Sequence, residues 1–167
     1  GDYEPVIQLQ TPKRAQVGTI GAEYEISNSF NISSEFAFSN SDQNLFSTLD
    51  NKENLGFAFS LNLNHHKWIP SKDTLSPKWQ TSTHLGYEYI HKNFQQIESH
   101  RNIEFNKDYN LNDGVLKQSG EQMITLSTKL MNEKKGEAHY QANMYSIEKQ
   151  LFAFRNMLNS SLKWRSF

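Results

Sequence analysis

The feature that most constrains the fold is a strict alternation of apolar and polar residues in seven separate segments. In the run from Leu55 to Leu63, every second residue is Leu or Phe, and the residues between them are small or amidic. Because side chains of a β-strand point alternately to its two faces, each segment predicts a strand with one apolar face. Together they predict an all-β protein, an antiparallel up-and-down meander of about seven strands that forms a β-barrel or a barrel-like sheet.

The apolar positions of the seven segments are expected to lie on one continuous face of that sheet. Antiparallel neighbours keep in-register residues on the same side, so the apolar sets of successive strands must coincide. The residues expected on this face are Ile20, Tyr24, Ile32, Phe36, Phe57, Phe59, Leu61, Leu85, Tyr87, Leu126, Tyr140, Phe154 and Leu158.

Two hairpins can be placed by requiring apolar residues to face apolar residues. In the first, a loop over 27–29 would pair Ile26 with Phe30, which also sets Tyr24 opposite Ile32 and Ile20 opposite Phe36. In the second, a loop over 134–136 would pair Leu130 with Tyr140 and place Gly136 where a turn needs positive φ. One later segment, 148–158, also suits a short helix, and its continuation to residue 164 favours a strand.

The domain organisation predicted from these runs is simple. Residues 17–167 are expected to form a single antiparallel β domain, after an extended leader over 1–16. The chain starts at Gly1 without an initiator Met, as a cleaved expression tag commonly leaves it. We therefore interpret the sequence as a fragment of a larger protein.

Composition excludes several classes of function. The chain has no cysteine, so disulfide scaffolds, Cys-ligated zinc and thiol catalysis are ruled out. Lys and Arg number 17 against 18 Asp and Glu, which removes any whole-chain electrostatic argument for binding nucleic acid. No apolar stretch reaches 18 residues, which excludes a transmembrane helix but not a transmembrane strand.

No motif in the sequence predicts catalysis, a cofactor or a metal. Adjacent His65 and His66 would point to opposite faces of a strand. His84 and Glu88 share a face but stand roughly 13 Å apart at about 3.3 Å per residue. Three carboxylates share the polar face of the first hairpin and could form an acid–base set, yet a charged barrel lumen or a solvated sheet surface explains them equally well; these are Glu23, Glu25 and Glu35. We predict that the protein is not an enzyme and needs no cofactor.

Two stretches resemble segments of large, uncharacterised β-rich proteins of the Bacteroidetes. They are residues 39–47, SNSDQNLFS, and residues 100–111, HRNIEFNKDYNL. The second departs mildly from the usual pattern, with Ile103 for Val, Lys107 for Arg and Tyr109 for Trp. The resemblance spans roughly 17–111. It implies a β-rich architecture and a location at the outer membrane or cell surface, with no catalytic residues to carry over.

Two functions fit this pattern. The first is a non-enzymatic structural part of an outer-membrane-associated or cell-surface β-barrel in the cell envelope, with the membrane or a surface glycan or protein as partner. The alternative is a soluble β-barrel or sandwich that binds a small apolar ligand or a glycan. Alternation alone does not separate them, because it distinguishes the two faces without saying which one meets water.

Any binding is expected in the long connections, at 40–54, 65–78 and 95–120, since loops on a rigid scaffold carry most recognition. In a meander the first and third of these fall at the same end of the sheet. They would bring together a possible partner-binding cluster of Phe46, Phe105 and Tyr109. The other interpretation is that these rings pin the loops to the rim.

Overall fold

The seven alternating segments form seven β-strands in a computed structural model, which describes residues 11–47, 51–70, 78–97, 101, 104–109, 111 and 119–163. A 3-10 turn at Asn51–Glu53 and a single helical turn, α1, at Phe105–Asp108 are the helical elements of these residues. The strands are β1 Arg14–Ser27, β2 Phe30–Asp42, β3 Leu55–Ile69, β4 Trp79–Ile90, β5 Glu121–Asn132, β6 Gly136–Ile147 and β7 Leu151–Leu162.

All seven strands belong to one sheet in which each strand pairs with the next along the chain. The order is β1-β2-β3-β4-β5-β6-β7, and every neighbouring pair is antiparallel. The predicted all-β up-and-down meander is therefore confirmed. The sheet is open, because β1 and β7 are not hydrogen-bonded neighbours, so these strands do not themselves close a barrel.

The first hairpin confirms the predicted register but not the predicted turn. Tyr24 faces Ile32 and Ile20 faces Phe36. At the tip, however, a bulge between Glu25 and Ser27 lets Ser27, rather than Ile26, pair with Phe30. Ile26 is the extra residue of this bulge, and the loop has two residues, 28–29, instead of the expected three.

The second hairpin shows that the predicted pairing was wrong by two residues. Leu130 faces Ala138, not Tyr140, and Gly136 pairs with Asn132, so the loop is 133–135. The Asn132 side-chain oxygen accepts the backbone N–H groups of Lys134 and Lys135, which begins the turn earlier. Gly136 does adopt the expected positive φ, at 115°.

Other boundaries differ from the sequence prediction in smaller ways. The ambiguous segment 148–158 enters β7 from Leu151 and is a strand, as favoured. β1 starts at Arg14, within the expected leader 1–16, of which Gly1 lies outside the described residues. The connection expected to begin at His65 begins later, because β3 continues to Ile69 in register with Trp79.

The two ends of the sheet carry different connections. One end, here called the long-loop end, holds the connections 43–54 and 91–120 and the tight turn 148–150. The opposite end, called the short-turn end, holds the turns at 28–29 and 133–135 and the connection 70–78. As predicted, the first and third long connections share an end, and the Gln95 N–H donates to Ser39 Oγ at 3.0 Å.

Burial is concentrated on the face that carries the polar residues. We call this the inner face, and the face with the alternating large apolar residues the outer face. The core consists of Tyr145 and Ile147 of β6 together with Tyr109 and Leu111 of the third connection. Chain segments from the long-loop end fold over the inner face and leave the outer face open.

Candidate functional site

The outer face is an apolar surface that the described residues leave exposed. The strand registers place all thirteen predicted positions on it, which confirms the continuous apolar face. Its rings contact one another across strands, with centroids of Phe36 and Phe57 6.1 Å apart and those of Phe57 and Tyr89 5.7 Å apart. Even near the middle of the sheet, Leu85 remains 41% exposed. In a protein surrounded by water such a surface is normally buried.

Charged side chains are segregated onto the other face. Between the strand ends, the outward positions of all seven strands carry no Asp, Glu, Lys or Arg. The charged outward residues Arg14, Asp42 and Lys67 lie at the margins of the outer face. Ordinary protein surfaces are roughly one quarter charged or more. The charged residues on the inner face of the strands are Glu23, Glu25, Glu35, Glu88, Glu121, Lys129, Glu137 and Arg155.

The height of the apolar surface can be read along β3. Outward residues are apolar from Leu55 to Leu63, and His65 and Lys67 follow toward the short-turn end. Eight residue steps at about 3.3 Å each span about 26 Å along the strand. Transmembrane barrels carry an outward apolar band about 25 Å tall. Because strands of such barrels tilt by about 35–45°, the length along β3 corresponds to roughly 19–22 Å of height, a little less than that band.

On the inner face, Arg101 holds the third connection against the sheet. Its guanidinium lies 3.3 Å from Glu121 Oε2 and 3.7 Å from Glu88 Oε2. It also lies over the rings of Phe105, at 4.3 Å from the centroid, and Tyr145, at 5.4 Å. The Tyr145 hydroxyl donates to the same Glu121 oxygen at 2.7 Å. Charge pairing and cation–π contact therefore act together on one cation.

The helical turn α1 completes this cluster. Phe105 and Tyr109 pack on Tyr145 with ring centroids 5.1 and 5.0 Å away, and Asp108 pairs with Arg155 of β7. Tyr109 is only 7% exposed. Burial raises the pKa of its hydroxyl above 10.0, while Arg155, Asn143 and Arg101 act in the opposite direction. We call Arg101, Phe105, Tyr109, Glu121 and Tyr145 the inner cluster.

A second polar arrangement crosses the middle of the inner face. His84 Nδ1 lies 2.8 Å from Asn64 Oδ1, and His139 Nε2 lies 2.8 Å from Ser127 Oγ. A serine and a histidine at this distance have nucleophile–base geometry. Ser127, however, lies within a regular ladder whose backbone N–H groups pair with β4 and β6, leaving none to stabilise an oxyanion. The pair adds two polar side chains to the inner face.

A cleft of about 390 Å³ opens on the inner face between β1–β4 and segment 91–97. Its lining mixes Ala37 and Ala58 with the carboxylates of Glu35 and Glu88. Segment 91–97 approaches the sheet closely at Gly56, where a Cβ would stand 2.2 Å from the Phe94 backbone nitrogen. Only glycine permits that approach. The cleft is thus bounded by a segment fixed to the sheet.

The three residues predicted as a partner-binding cluster separate into two groups. Phe105 and Tyr109 contact each other, with centroids 4.8 Å apart, and belong to the inner cluster. Phe46 is 83% exposed and so is not packed with them. Whether any of the three binds a partner stays a prediction.

The remaining candidate residues lie apart. His65 is on the outer face beside Phe30, with ring centroids 6.1 Å apart, whereas the adjacent His66 has the opposite orientation. Glu23 accepts a hydrogen bond from Asn31 at 3.3 Å. Across the described ranges, no three His, Cys, Asp or Glu side chains are grouped closely enough to hold a metal ion.

Sequence analysis missed Arg101, Glu121 and Tyr145. A signal for one of them was present: Tyr145 is a large aromatic residue in the polar phase of β6, next to the outward Met144. An inward aromatic on a polar face needs a covering element, and the third connection supplies aromatic rings. Combining the two would have predicted that this connection folds inward.

Comparison of the chain with protein-family models, with curated proteins and with solved structures finds no match. Among the helices in the described part of the chain, none has the length and apolar character needed to cross a membrane.

Proposed function

We propose that this chain is a structural, non-enzymatic part of an outer-membrane β-barrel wall, with its outer face against lipid and its inner face lining a polar interior. The observation that carries this proposal is the segregation of charge. Seven strands present an outward surface free of charged residues between their ends, and that surface remains exposed. Such a surface is costly in water and favourable in a bilayer.

The interior supports the same role. Small and polar side chains occupy the inner positions, among them Ser39, Ser60, Asn62 and Ser127. Where large residues occur there, as in the inner cluster, chain segments from the long-loop end cover them. Barrels of the outer membrane combine a polar interior with loops folded into it. A soluble barrel would instead bury the apolar face, whereas here that face is exposed and the inner face is partly covered.

The unequal ends support an orientation. Outer-membrane barrels have short turns on the periplasmic side and longer loops outside. The long-loop end, with connections 43–54 and 91–120, would therefore lie at the cell surface. The resemblance over residues 17–111 to uncharacterised β-rich proteins of the Bacteroidetes implies a location at the outer membrane or cell surface.

The experiment that tests location uses the absence of native cysteine. Gln43→Cys places a thiol at the long-loop end, and Lys134→Cys places a matched, equally accessible thiol at the short-turn end. Cells that produce the protein are treated with a membrane-impermeant maleimide before and after outer-membrane permeabilisation. We expect Gln43→Cys to react on intact cells and Lys134→Cys only after permeabilisation. Recovery of the protein in a soluble fraction would contradict the proposal.

A further inference from the structure

The two outermost strands, β1 and β7, each present a long unpaired edge. β1 has 14 residues and β7 has 12, and among the described residues nothing pairs with their outer edges. Native proteins protect such edges with proline, charged side chains including inward-pointing ones, bulges or short strands. Neither strand contains Pro or Lys. Inward charges are confined to Glu23 and Glu25 near the bulged tip of β1 and to Arg155 on β7, which is paired with Asp108. Most of each edge is therefore open to a pairing strand.

The apolar surface also continues without interruption to both edges. On β1, Ile20 is 70% exposed, and on β7, Phe152 and Leu158 are 70% and 71% exposed. Side chains of the neighbouring strands, β2 and β6, flank each of these residues on one side. On the other side, none of the described residues covers them. A sheet that ended here in water would be expected to become polar at its margins.

Strand direction determines which partner fits. Both β1 and β7 run from the long-loop end to the short-turn end, because an odd number of antiparallel strands brings the chain back to its starting direction. Closing the sheet on itself would make β1 and β7 a parallel pair in an otherwise antiparallel wall. Two copies placed side by side in one orientation would meet in the same parallel way. Parallel pairs are slightly less stable per residue, and bacterial single-chain barrels are antiparallel throughout.

An inverted second copy would restore antiparallel pairing but not a single orientation. Its long-loop end would lie at the level of the short-turn end of the first copy. The long loops of the two copies would then lie on opposite sides of one bilayer. The partner that meets every constraint is a strand running from the short-turn end to the long-loop end.

We infer that β1 and β7 pair with additional antiparallel strands of the same polypeptide, odd in number, which complete an even-stranded barrel. A strand after β7 would need only a hairpin turn beyond Lys163, whose N–H already bonds the Lys135 carbonyl at the short-turn end. The inference rests on the proposed function for the lipid-facing wall. Edge pairing itself does not depend on what the outer face contacts.

The test measures amide hydrogen exchange and native mass on the complete polypeptide in detergent micelles. Amides of β1 and β7 that point away from β2 and β6 are expected to exchange within about tenfold of those in β3 and β4, and the particle is expected to contain one polypeptide. Exchange at the edges at least 100-fold faster than in β3 would overturn the inference. Protected edges in a particle of two copies would also overturn it, since a second copy would then be the partner.

A cysteine pair tests closure of the sheet on itself. In a cysteine-free polypeptide, Ala22→Cys is combined in turn with Phe154→Cys, Asn156→Cys and Leu158→Cys, which sample outward positions along β7. Disulfides need Cα atoms within about 7 Å. No disulfide is expected, and formation in any pair would show that β1 and β7 are direct neighbours and would overturn the inference. Protected edges in a single soluble polypeptide would overturn the proposed lipid-facing wall and leave the pairing of β1 and β7 with strands of the same polypeptide in place.

Discussion

The Arg101 guanidinium and the Glu121 carboxylate form an ion pair of 3.3 Å on the inner face, and the same Glu121 oxygen accepts the Tyr145 hydroxyl. One carboxylate on β5 thus joins the third connection to β6. Both partners are largely shielded, with side chains 14% and 17% exposed. The Asp108–Arg155 ion pair adds a second ionic contact between the third connection and the sheet.

Replacing Arg101 by Gln should release the third connection from the inner face. Hydrogen bonds to charged groups contribute about 1.5–3 kcal/mol, so local opening should become roughly 10- to 100-fold more frequent. Amide exchange of 104–109 reports this directly. Lys135→Gln at an exposed turn is the control and should leave exchange unchanged. Equal protection of 104–109 in both variants would mean that Arg101 does not hold the segment.

The two kinds of aromatic residue in the long connections should respond differently to substitution. Phe105→Ser removes ring contacts with Tyr109 and Tyr145 and the cation–π contact with Arg101, at a cost of about 2 kcal/mol in unfolding free energy for a half-buried ring. Phe46→Ser should change stability by less than about 0.5 kcal/mol because its ring is exposed. Denaturant unfolding in micelles compares the two. A loss of similar size at Phe46 would place that ring in a packed site.

Alkaline pH should loosen the inner cluster through Tyr109. Its pKa is raised from 10.0 by burial, so its contribution to stability is fully present below pH 10 and is lost as pH rises through the raised pKa. Tyr109→Phe keeps the ring and removes the ionising group. The difference between wild-type and variant absorbance at 295 nm should therefore show a phenol that ionises above pH 10. Over the same pH range, amide exchange of 104–109 should become faster in the wild type. Ionisation of this phenol below pH 10 would contradict the assignment.

A charge placed on the outer face should be far more costly than one placed beside it on the inner face. Leu126 and Thr125 are neighbours in the middle of β5 and point to opposite faces. Leu126→Lys should cost roughly 2–4 kcal/mol of folding free energy in phospholipid vesicles, the range for a lipid-facing midplane charge. Thr125→Lys should cost much less. Similar costs at both positions would contradict lipid contact by the outer face.

The sequence predicted the strands well because alternation is a local property. In the run from Leu55 to Leu63, only a strand puts all the apolar side chains on one face. Matching apolar positions across the first hairpin was enough to pair Tyr24 with Ile32. Parity cannot fix a shift of two residues, since such a shift preserves the faces. The pairing of Leu130 was therefore decided by hydrogen bonds from the turn to Asn132, which the hydrophobic pattern does not contain.

The inner cluster was less predictable for a physical reason. Arg101 and Glu121 are twenty residues apart, and their contact depends on the path of an irregular connection rather than on any period. The predicted cluster of Phe46, Phe105 and Tyr109 depended on placing their two connections at the same end of the sheet, and that placement is correct. It did not include Tyr145, a ring on the inner face that packs with two of the three.

The most direct test of the account is a spin-label scan of β5 in phospholipid vesicles, one cysteine at a time from Gln122 to Met131. For each label, collisions with oxygen, which concentrates in lipid, are compared with collisions with a water-soluble nickel chelate. The account predicts a period of two, with oxygen collisions dominant at the outward positions 124, 126, 128 and 130 and reduced at 123, 125, 127 and 129. Uniformly low oxygen accessibility at the outward positions, as in a buried core, would contradict it.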